Sequence, residues 1–492
     1  MREEQPDMPF TSQPMITDAH PGEPEEFRRL FPAYEHTRVL DEARRTDYTY
    51  LDVQNHLYLD YAGAGLAARR QQTAHLERVQ NMVLGNPHSQ NPTSLAATEL
   101  VEQARTRILE YLQADPDEYA VIFTGNATGA ARLVGESYPF TRRRRLVLTA
   151  DNHNSINGIR EFARRKNAAT TYAAITGPDL RVETEELRSV LRRAGRGLVC
   201  FPAQSNFTGV QHPLDWVPMA QEMGYDVLLD AAAYLPTNRL SLATTQPDFL
   251  ILSWYKIIGY PTGLGCLIAR KQALSRLQRP WFSGGTVRAS SVGVPWHSLA
   301  PDETAFEDGT VNFQGIADIP IGLDWLEDLG PEVIHARVQS LTGWLLHRLT
   351  GLRHSDGSPM ARIYGPSTIV HRGGTVAFNL LDVSGNIVDE RLVARESAAA
   401  AISLRTGCVC NPGAGEAALG LTPRDLLPLR DLRTGSLDDY LRLIGLPTAG
   451  AIRVSFGLAS NASDAERFLA FIEGTYRDRL TDSTGLPARD RC

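Results

Sequence analysis

Lysine is nearly absent from this chain: of 50 basic residues only Lys166, Lys256 and Lys271 are lysines. Arginine fills almost every generic cationic role, and arginine cannot shed its proton to act as an amine nucleophile. A lysine kept in apolar surroundings therefore calls for a chemical explanation. Cysteine is scarce too. Cys200, Cys266, Cys408, Cys410 and Cys492 are scattered over 492 residues, which argues against a disulfide framework and makes a reducing cytoplasm the default compartment. No apolar stretch approaches the roughly 18 residues of a bilayer-spanning helix, so a membrane role is not expected. The net charge of -7 gives no sign of a nucleic-acid-binding surface, and the basic run Arg142–Arg145 reads as a solvated loop.

What is present points to a folded chain with a large core: 42% hydrophobic and 22% charged residues are ordinary for a globular protein. Residues 1–26, acidic and Pro-rich up to Pro24, read as a flexible leader and not as a signal peptide. Phe27–Arg45 reads as a helical arm. Ala97, Val101, Ala104, Ile108 and Leu112 predict an amphipathic helix over Ser94–Ala114. Short apolar runs follow at Ala120–Phe123, Leu146–Thr149, Leu198–Phe201, Val227–Leu229, Phe249–Leu252 and Gly265–Ile268. Helix candidates such as Ile156–Arg165 and Thr184–Arg193 lie between them. That alternation predicts an α/β domain over 27–330 with a large, mainly parallel sheet covered on both faces. A long helix from about Gly330 opens a smaller α+β domain over 331–492, with strands at Thr375–Leu380 and Ala451–Phe456 and helices at Asp389–Ala400 and Asp464–Tyr476. Ser463 and Glu466 have the spacing of a capping box for the last helix.

Three features converge on one chemistry. Lys256 follows the buried run Phe249–Leu252, and burial lowers a lysine's pKa and frees its lone pair for a Schiff base. Asp230 ends another apolar run, where a carboxylate can hold the pyridine nitrogen of pyridoxal phosphate (PLP) protonated. Thr124–Gly129 follows a strand and precedes a helix start, a natural anion site. Each has a plainer reading: a snorkelling lysine, a strand-end cap and an ordinary βα loop. Their order along the chain, and the tendency of ligands to sit at the carboxyl ends of such strands, favours the cofactor reading.

The sequence resembles the class V (fold type I) PLP enzymes of the cysteine desulfurase group, with its closest likeness to the N-terminal domain of molybdenum cofactor sulfurases. The residues that carry the likeness begin with Tyr58-Leu-Asp-Tyr-Ala-Gly-Ala, Gly85-Asn-Pro-His-Ser-Gln-Asn and Val121-Ile-Phe-Thr. Phe201-Pro-Ala-Gln-Ser-Asn-Phe-Thr-Gly, Asp230-Ala-Ala-Ala and Tyr255-Lys-Ile-Ile-Gly-Tyr-Pro-Thr-Gly-Leu-Gly continue it. Phe306-Glu-Asp-Gly-Thr, Leu404-Arg-Thr-Gly-Cys-Val-Cys-Asn-Pro-Gly-Ala and Ile452-Arg-Val-Ser-Phe-Gly complete the ordered set, over roughly residues 56 to 475. The resemblance implies that Lys256 forms the Schiff base, Asp230 faces the pyridinium, and Ala127, Thr128 and Ser253 bind phosphate. It puts Asn206 on the cofactor's phenolic oxygen and the substrate, and His153 over the ring. Thr286 would reach a phosphate across a homodimer interface, and Arg453 would clamp the substrate carboxylate.

Cys410 would be the nucleophile, on a loop whose Gly, Pro and Asn residues predict mobility. Cys408 reads as a packing residue or a resolving thiol. No second cysteine or histidine pair lies near the Cys-x-Cys, so no metal site is expected. The implied reaction converts L-cysteine to alanine, leaving a Cys410 persulfide that is passed to a separate acceptor. Ala233 stands where many desulfurases carry glutamine or histidine, and Tyr255 replaces a common histidine. Sulfurases usually carry a further C-terminal domain, for which the residues up to Cys492 leave no room, so the acceptor stays open. Alternatives on the same cofactor are a C–S lyase, an aminotransferase or epimerase, or a tailoring enzyme acting on a natural-product intermediate, and from another class a non-catalytic scaffold.

Overall fold

The computed structural model describes residues 23–428, 436–446 and 448–489; the expected leader lies outside these up to residue 22. The near-continuous apolar runs become fully buried strands, as a sheet covered on both faces requires. The sheet consists of β1 (Tyr119–Thr124), β2 (Arg145–Thr149), the half-covered edge strand β3 (Thr170–Ala173), β4 (Gly197–Pro202), β5 (Tyr225–Asp230), β6 (Phe249–Ser253) and β7 (Gly265–Arg270), in the spatial order β1-β7-β6-β5-β4-β2-β3. The five strands from β6 to β3 are parallel, whereas β7 runs antiparallel to both neighbours. Two apolar clusters, one holding Val199 and Leu229 and the other Cys200 and Leu228, cover the opposite faces. The expected α/β architecture is the one the chain forms. β3, of sequence Thr-Thr-Tyr-Ala, escaped the sequence reading because an edge strand that is only half covered carries no apolar run.

Several helix boundaries differ from expectation for local reasons. The arm expected over Phe27–Arg45 breaks at Pro32 into Glu25–Leu30, a tight turn over Pro32–Thr37 and a second helix, Val39–Asp47, because proline lacks the N–H and restricts the residue before it. Ile156–Arg165 divides around Gly158. The long helix starts at Pro92, capped by Asn91, whose side chain accepts from Ser94 N–H. The final helix, Ala462–Tyr476, is capped by the reciprocal pair Asn461 and Asp464. This corrects the box expected at Ser463 and Glu466 by two positions.

After the helix Pro331–Gly351 comes a four-stranded antiparallel sheet of β8 (Ala361–Tyr364), β9 (Thr375–Leu380), β10 (Arg405–Gly407) and β11 (Ala451–Ser455), ordered β8-β9-β11-β10. The early segment Leu57–Tyr58 pairs with Ile402–Ser403, and Asp60 bridges to Ser455. Residues far apart in sequence, Asp60, Arg405 and Arg453, are thereby brought to one place. Among the described residues no helix is long and apolar enough to cross a membrane, and no group of His, Cys, Asp or Glu could hold a metal ion.

Candidate active site

The carboxyl ends of β4, β5 and β6 open onto a cavity of about 160 Å³, the place where ligands bind in open α/β sheets. It is lined by seven of the residues singled out from sequence: Ala127, Thr128, His153, Asn206, Asp230, Ser253 and Lys256. Lys256 stands in the single turn Trp254–Ile257 directly after β6. Removal from water pushes its ammonium below the ordinary lysine range; Arg453 and Arg405 push the same way, and Asp230 opposes them. The amine is thus prepared for condensation with a carbonyl.

Asp230 is buried at the end of β5. Burial raises its carboxyl above the usual range, against the Ala232 N–H and the charge of Lys256. Oδ1 accepts from Ala232 N–H at 2.9 Å, and Oδ2 makes no hydrogen bond among the described residues. A buried carboxylate short of a cation, facing a cavity beside an activated lysine, fits a protonated pyridine nitrogen. At the other end of the cavity starts the helix Ala127–Ser137, whose first N–H groups and dipole suit an anion. Ser253 Oγ accepts from Ala127 N–H at 2.9 Å and so joins this cradle to the lysine strand. Gly265 is required here, since a Cβ would lie 2.5 Å from the Asn126 backbone and 2.6 Å from the Leu252 carbonyl oxygen.

His153 is bound to the cradle through Ser155. The Ser155 N–H donates to His153 Nδ1 at 3.1 Å, and the Ser155 hydroxyl lies 2.9 Å from that nitrogen and 2.7 Å from Thr128 Oγ1. Because Nδ1 accepts a backbone N–H, the ring proton belongs on Nε2. Burial, aided by Lys256 and Arg453, lowers the imidazole pKa to about 4, so the ring is neutral at neutral pH.

Arg453 is buried on β11, donating to Asn206 O at 3.0 Å and to Asp60 Oδ1 at 2.9 Å, while its Nε has no partner among the described residues. Arg405, its direct cross-strand neighbour on β10, also binds Asp60, at 2.6 Å. One carboxylate therefore holds two guanidinium groups beside the cavity. Asp60 and Arg405 lay inside quoted motifs, but only the pairing of β10 with β11 reveals their relationship.

Cys410 does not line the cavity; it is exposed and free at its edge, close enough to Arg405 and Arg453 to bear on their charges. The mobility expected of its loop is not what the hydrogen bonds show. Asn206 Nδ2 donates to Val409 O at 2.8 Å, and Asn154 N–H to Cys410 O at 2.8 Å. Asn411 Nδ2 donates to Asp151 O at 2.8 Å and Asn206 Oδ1 at 2.9 Å. Val409 and Cys410 hold left-handed conformations, φ 45° and 57°, which are costly for residues with a side chain, most of all a β-branched one. Cys408 is buried and disulfide-bonded, a bond that the scattered cysteines did not suggest. Thr286 lies away from the cavity, its buried hydroxyl donating to Ser283 O at 2.7 Å. Gln204, Ser155, Ala232, Ala233 and Tyr255 also line the cavity; sequence had assigned no role to Gln204 or Ser155.

Residues 57–468 match the family model for aminotransferase class-V. Among curated proteins, the molybdenum cofactor sulfurase of Oryza sativa is 35% identical over 477 residues, covering 89% of this chain and 58% of that protein. The molybdenum cofactor sulfurase of Bos taurus is 36% identical over 467 residues, 88% of this chain and 51% of that one. The chain thus spans between half and three-fifths of the length of these relatives. In fold it is similar to a cysteine desulfurase of Thermococcus onnurineus, with a TM-score of 0.73 at 22% identity over 88% of this chain and 97% of that one. A cysteine desulfurase of Escherichia coli matches with a TM-score of 0.66 at 19% identity, over 91% and 97% of the two chains. A family match across most of the chain, on a site whose lysine, aspartate and helix start fit the cofactor, leads to one conclusion: the chain belongs to the aminotransferase class-V family, whose members depend on pyridoxal phosphate.

Proposed function

We propose that this chain is a PLP-dependent sulfurtransferase of the cysteine desulfurase type, taking sulfur from L-cysteine and leaving alanine. The observation that carries the reading is the placement of a free, exposed Cys410 at the edge of the cavity that holds Lys256 and Asp230. The sulfurase relatives and the desulfurase folds support it.

When bound, PLP supplies an electron sink for charge developing at the substrate's α-carbon. Lys256 carries the cofactor and then takes the α-proton, a role suited to an amine whose basicity burial has reduced. Asp230 keeps the pyridine nitrogen protonated, and the helix start at Ala127 and Thr128, with Ser253, holds the phosphate. Arg453 binds the substrate carboxylate, and neutral His153 covers the ring face. The Cys410 thiolate attacks the substrate sulfur. A sulfur–sulfur bond forms as the carbon–sulfur bond breaks, and the electron pair left on carbon is protonated to give alanine. The persulfide on Cys410 then passes to a separate acceptor.

A homodimer is part of this proposal. The hairpin Val287–Ser291 and Trp296–Leu299 presents exposed Val292, Val294 and Trp296 next to Thr286, the residue assigned to the partner's phosphate. Incubation with L-cysteine tests the reaction: alanine and one extra sulfur on the Cys410 peptide are expected. Pyruvate with ammonia, or no persulfide on Cys410, would overturn it in favour of a lyase.

A further inference from the structure

Gln204 lines the cofactor cavity and also a second, smaller cavity; Lys256, Ala232 and Ala233 border both. It is 3% exposed. The orientation of its amide is dictated by a chain of hydrogen bonds that begins at an unambiguous acceptor. Asn238 Nδ2 donates to the Tyr234 carbonyl at 2.9 Å, so Asn238 Oδ1 is the atom that accepts from Gln211 Nε2, at 3.1 Å. Gln211 Nε2 is thereby identified as nitrogen, and the Gln204 atom 3.1 Å from it must be Oε1. Nε2 of Gln204 is left with no acceptor among the described residues. Space for this arrangement is reserved by Gly373, where a Cβ would lie 1.9 Å from Gln204 Oε1.

An amide N–H that has no protein acceptor and belongs to a residue bordering a binding cavity is expected to meet an acceptor on the ligand. The neighbouring side chains leave that role open. Asn206, assigned by resemblance to the cofactor's phenolic oxygen, has its amide engaged by Val409 O and by Asn411. Ala233, at the position where many desulfurases have a polar side chain, offers no donor.

We propose that Gln204 is a cofactor-contacting residue, donating an N–H of its amide to the phenolate oxygen of PLP in the space that Ala233 leaves. The inference rests on the reading that PLP is carried by Lys256. The phenolic oxygen of PLP is on the ring carbon next to the one bearing the aldehyde that Lys256 would bind, so a donor bordering Lys256 is well placed for it. A donor there stabilises the anionic oxygen and lowers the basicity of the phenolate and imine pair.

The test is a pH titration of the visible absorbance band of the full chain reconstituted with PLP, together with cofactor dissociation by equilibrium dialysis. In Gln204→Met, which keeps volume but loses the amide, the titration midpoint should rise by about one pH unit and cofactor affinity should fall about tenfold, as expected for losing a hydrogen bond to a charged group. Gln204→Glu, with an acceptor in place of the donor, should shift the midpoint further in the same direction. An unmoved midpoint and unchanged dissociation in a Gln204→Met protein with wild-type circular dichroism overturns the proposal. Should that variant fail to fold, Gln211→Met retains Gln204 while removing the group that orients it. A smaller upward shift supports the assignment there, and no shift overturns it. Failure of the cofactor reading itself looks different: wild-type protein would show no visible band and no borohydride-fixed adduct on Lys256.

Discussion

The side-chain amide of Asn206 donates to the backbone carbonyl of Val409 at 2.8 Å, joining the floor of the cofactor cavity to the loop that carries Cys410. Asn411, fully buried, completes the connection through Asp151 O and Asn206 Oδ1, and its own Oδ1 accepts from Ala414 N–H at 3.2 Å. A left-handed backbone at Val409 and Cys410 persists only when its surroundings hold it. Asn411→Ala leaves these buried groups unpaired and is expected to cost about 2 kcal/mol of stability. Persulfide formation should slow by more than about tenfold while cofactor affinity changes less, because Asn411 touches the cavity only through Asn206 and leaves Lys256, Asp230 and the phosphate cradle in place. Chemical denaturation and single-turnover mass spectrometry of the Cys410 peptide measure both.

Asp60 is the shared counter-ion of Arg405 and Arg453, which face each other across β10 and β11. Like charges directly opposite in a sheet repel. Removing Asp60 by substitution with alanine is expected to lower stability by about 3 kcal/mol, as for breaking a buried ion pair, and to raise the KM for L-cysteine more than it lowers kcat. Asp60→Glu should recover part of the KM. A KM unchanged in a folded Asp60→Ala protein would separate Asp60 from substrate binding.

Cys410→Ser keeps the size and hydrogen bonding of the side chain and loses the thiolate. Alanine formation from L-cysteine should fall to background, while the visible cofactor band stays at wild-type intensity because Cys410 does not line the cavity. Retained L-cysteine breakdown to pyruvate would expose a lyase pathway independent of this thiol.

His153 in the folded chain titrates at about 4, against 6.5 without the fold, because burial disfavours its charged form. Between these values the unfolded chain binds the proton more readily, so the site's contribution to stability is complete above about pH 6.5 and is lost as pH falls toward about 4. The wild type should therefore lose more Tm between pH 7 and about pH 5 than His153→Phe, which keeps an aromatic ring but cannot take up a proton. Parallel melting curves for the two proteins would show that His153 takes up its proton equally in the folded and unfolded chain, and so that burial does not lower its pKa.

The parallel strands were legible because a sheet buried on both faces must be written as apolar runs. Lys256, Asp230 and the turn at Thr124–Gly129 stood at the ends of such runs. Gln204 was printed inside a recognisable motif, yet its role could not be read there. The direction of its amide depends on Gln211, Asn238 and the Tyr234 carbonyl, and its space on Gly373. The Cys410 loop misled in the opposite sense: glycine, proline and asparagine suggested freedom, but Asn411 turned out to be a clamp.

The sequence by itself therefore determined the α/β layering, the cofactor lysine and the order of the site along the chain, since hydrophobic pattern and residue chemistry are local properties. Only the tertiary structure decided which partners each side chain meets. It brought Asp60 between two arginines nearly 350 and 400 residues away, bound Asn206 to the Cys410 loop, and left the amide nitrogen of Gln204 without an acceptor among the described residues. Hydrogen bonds join groups that are close in space, and proximity across separate strands is not written in any one of them.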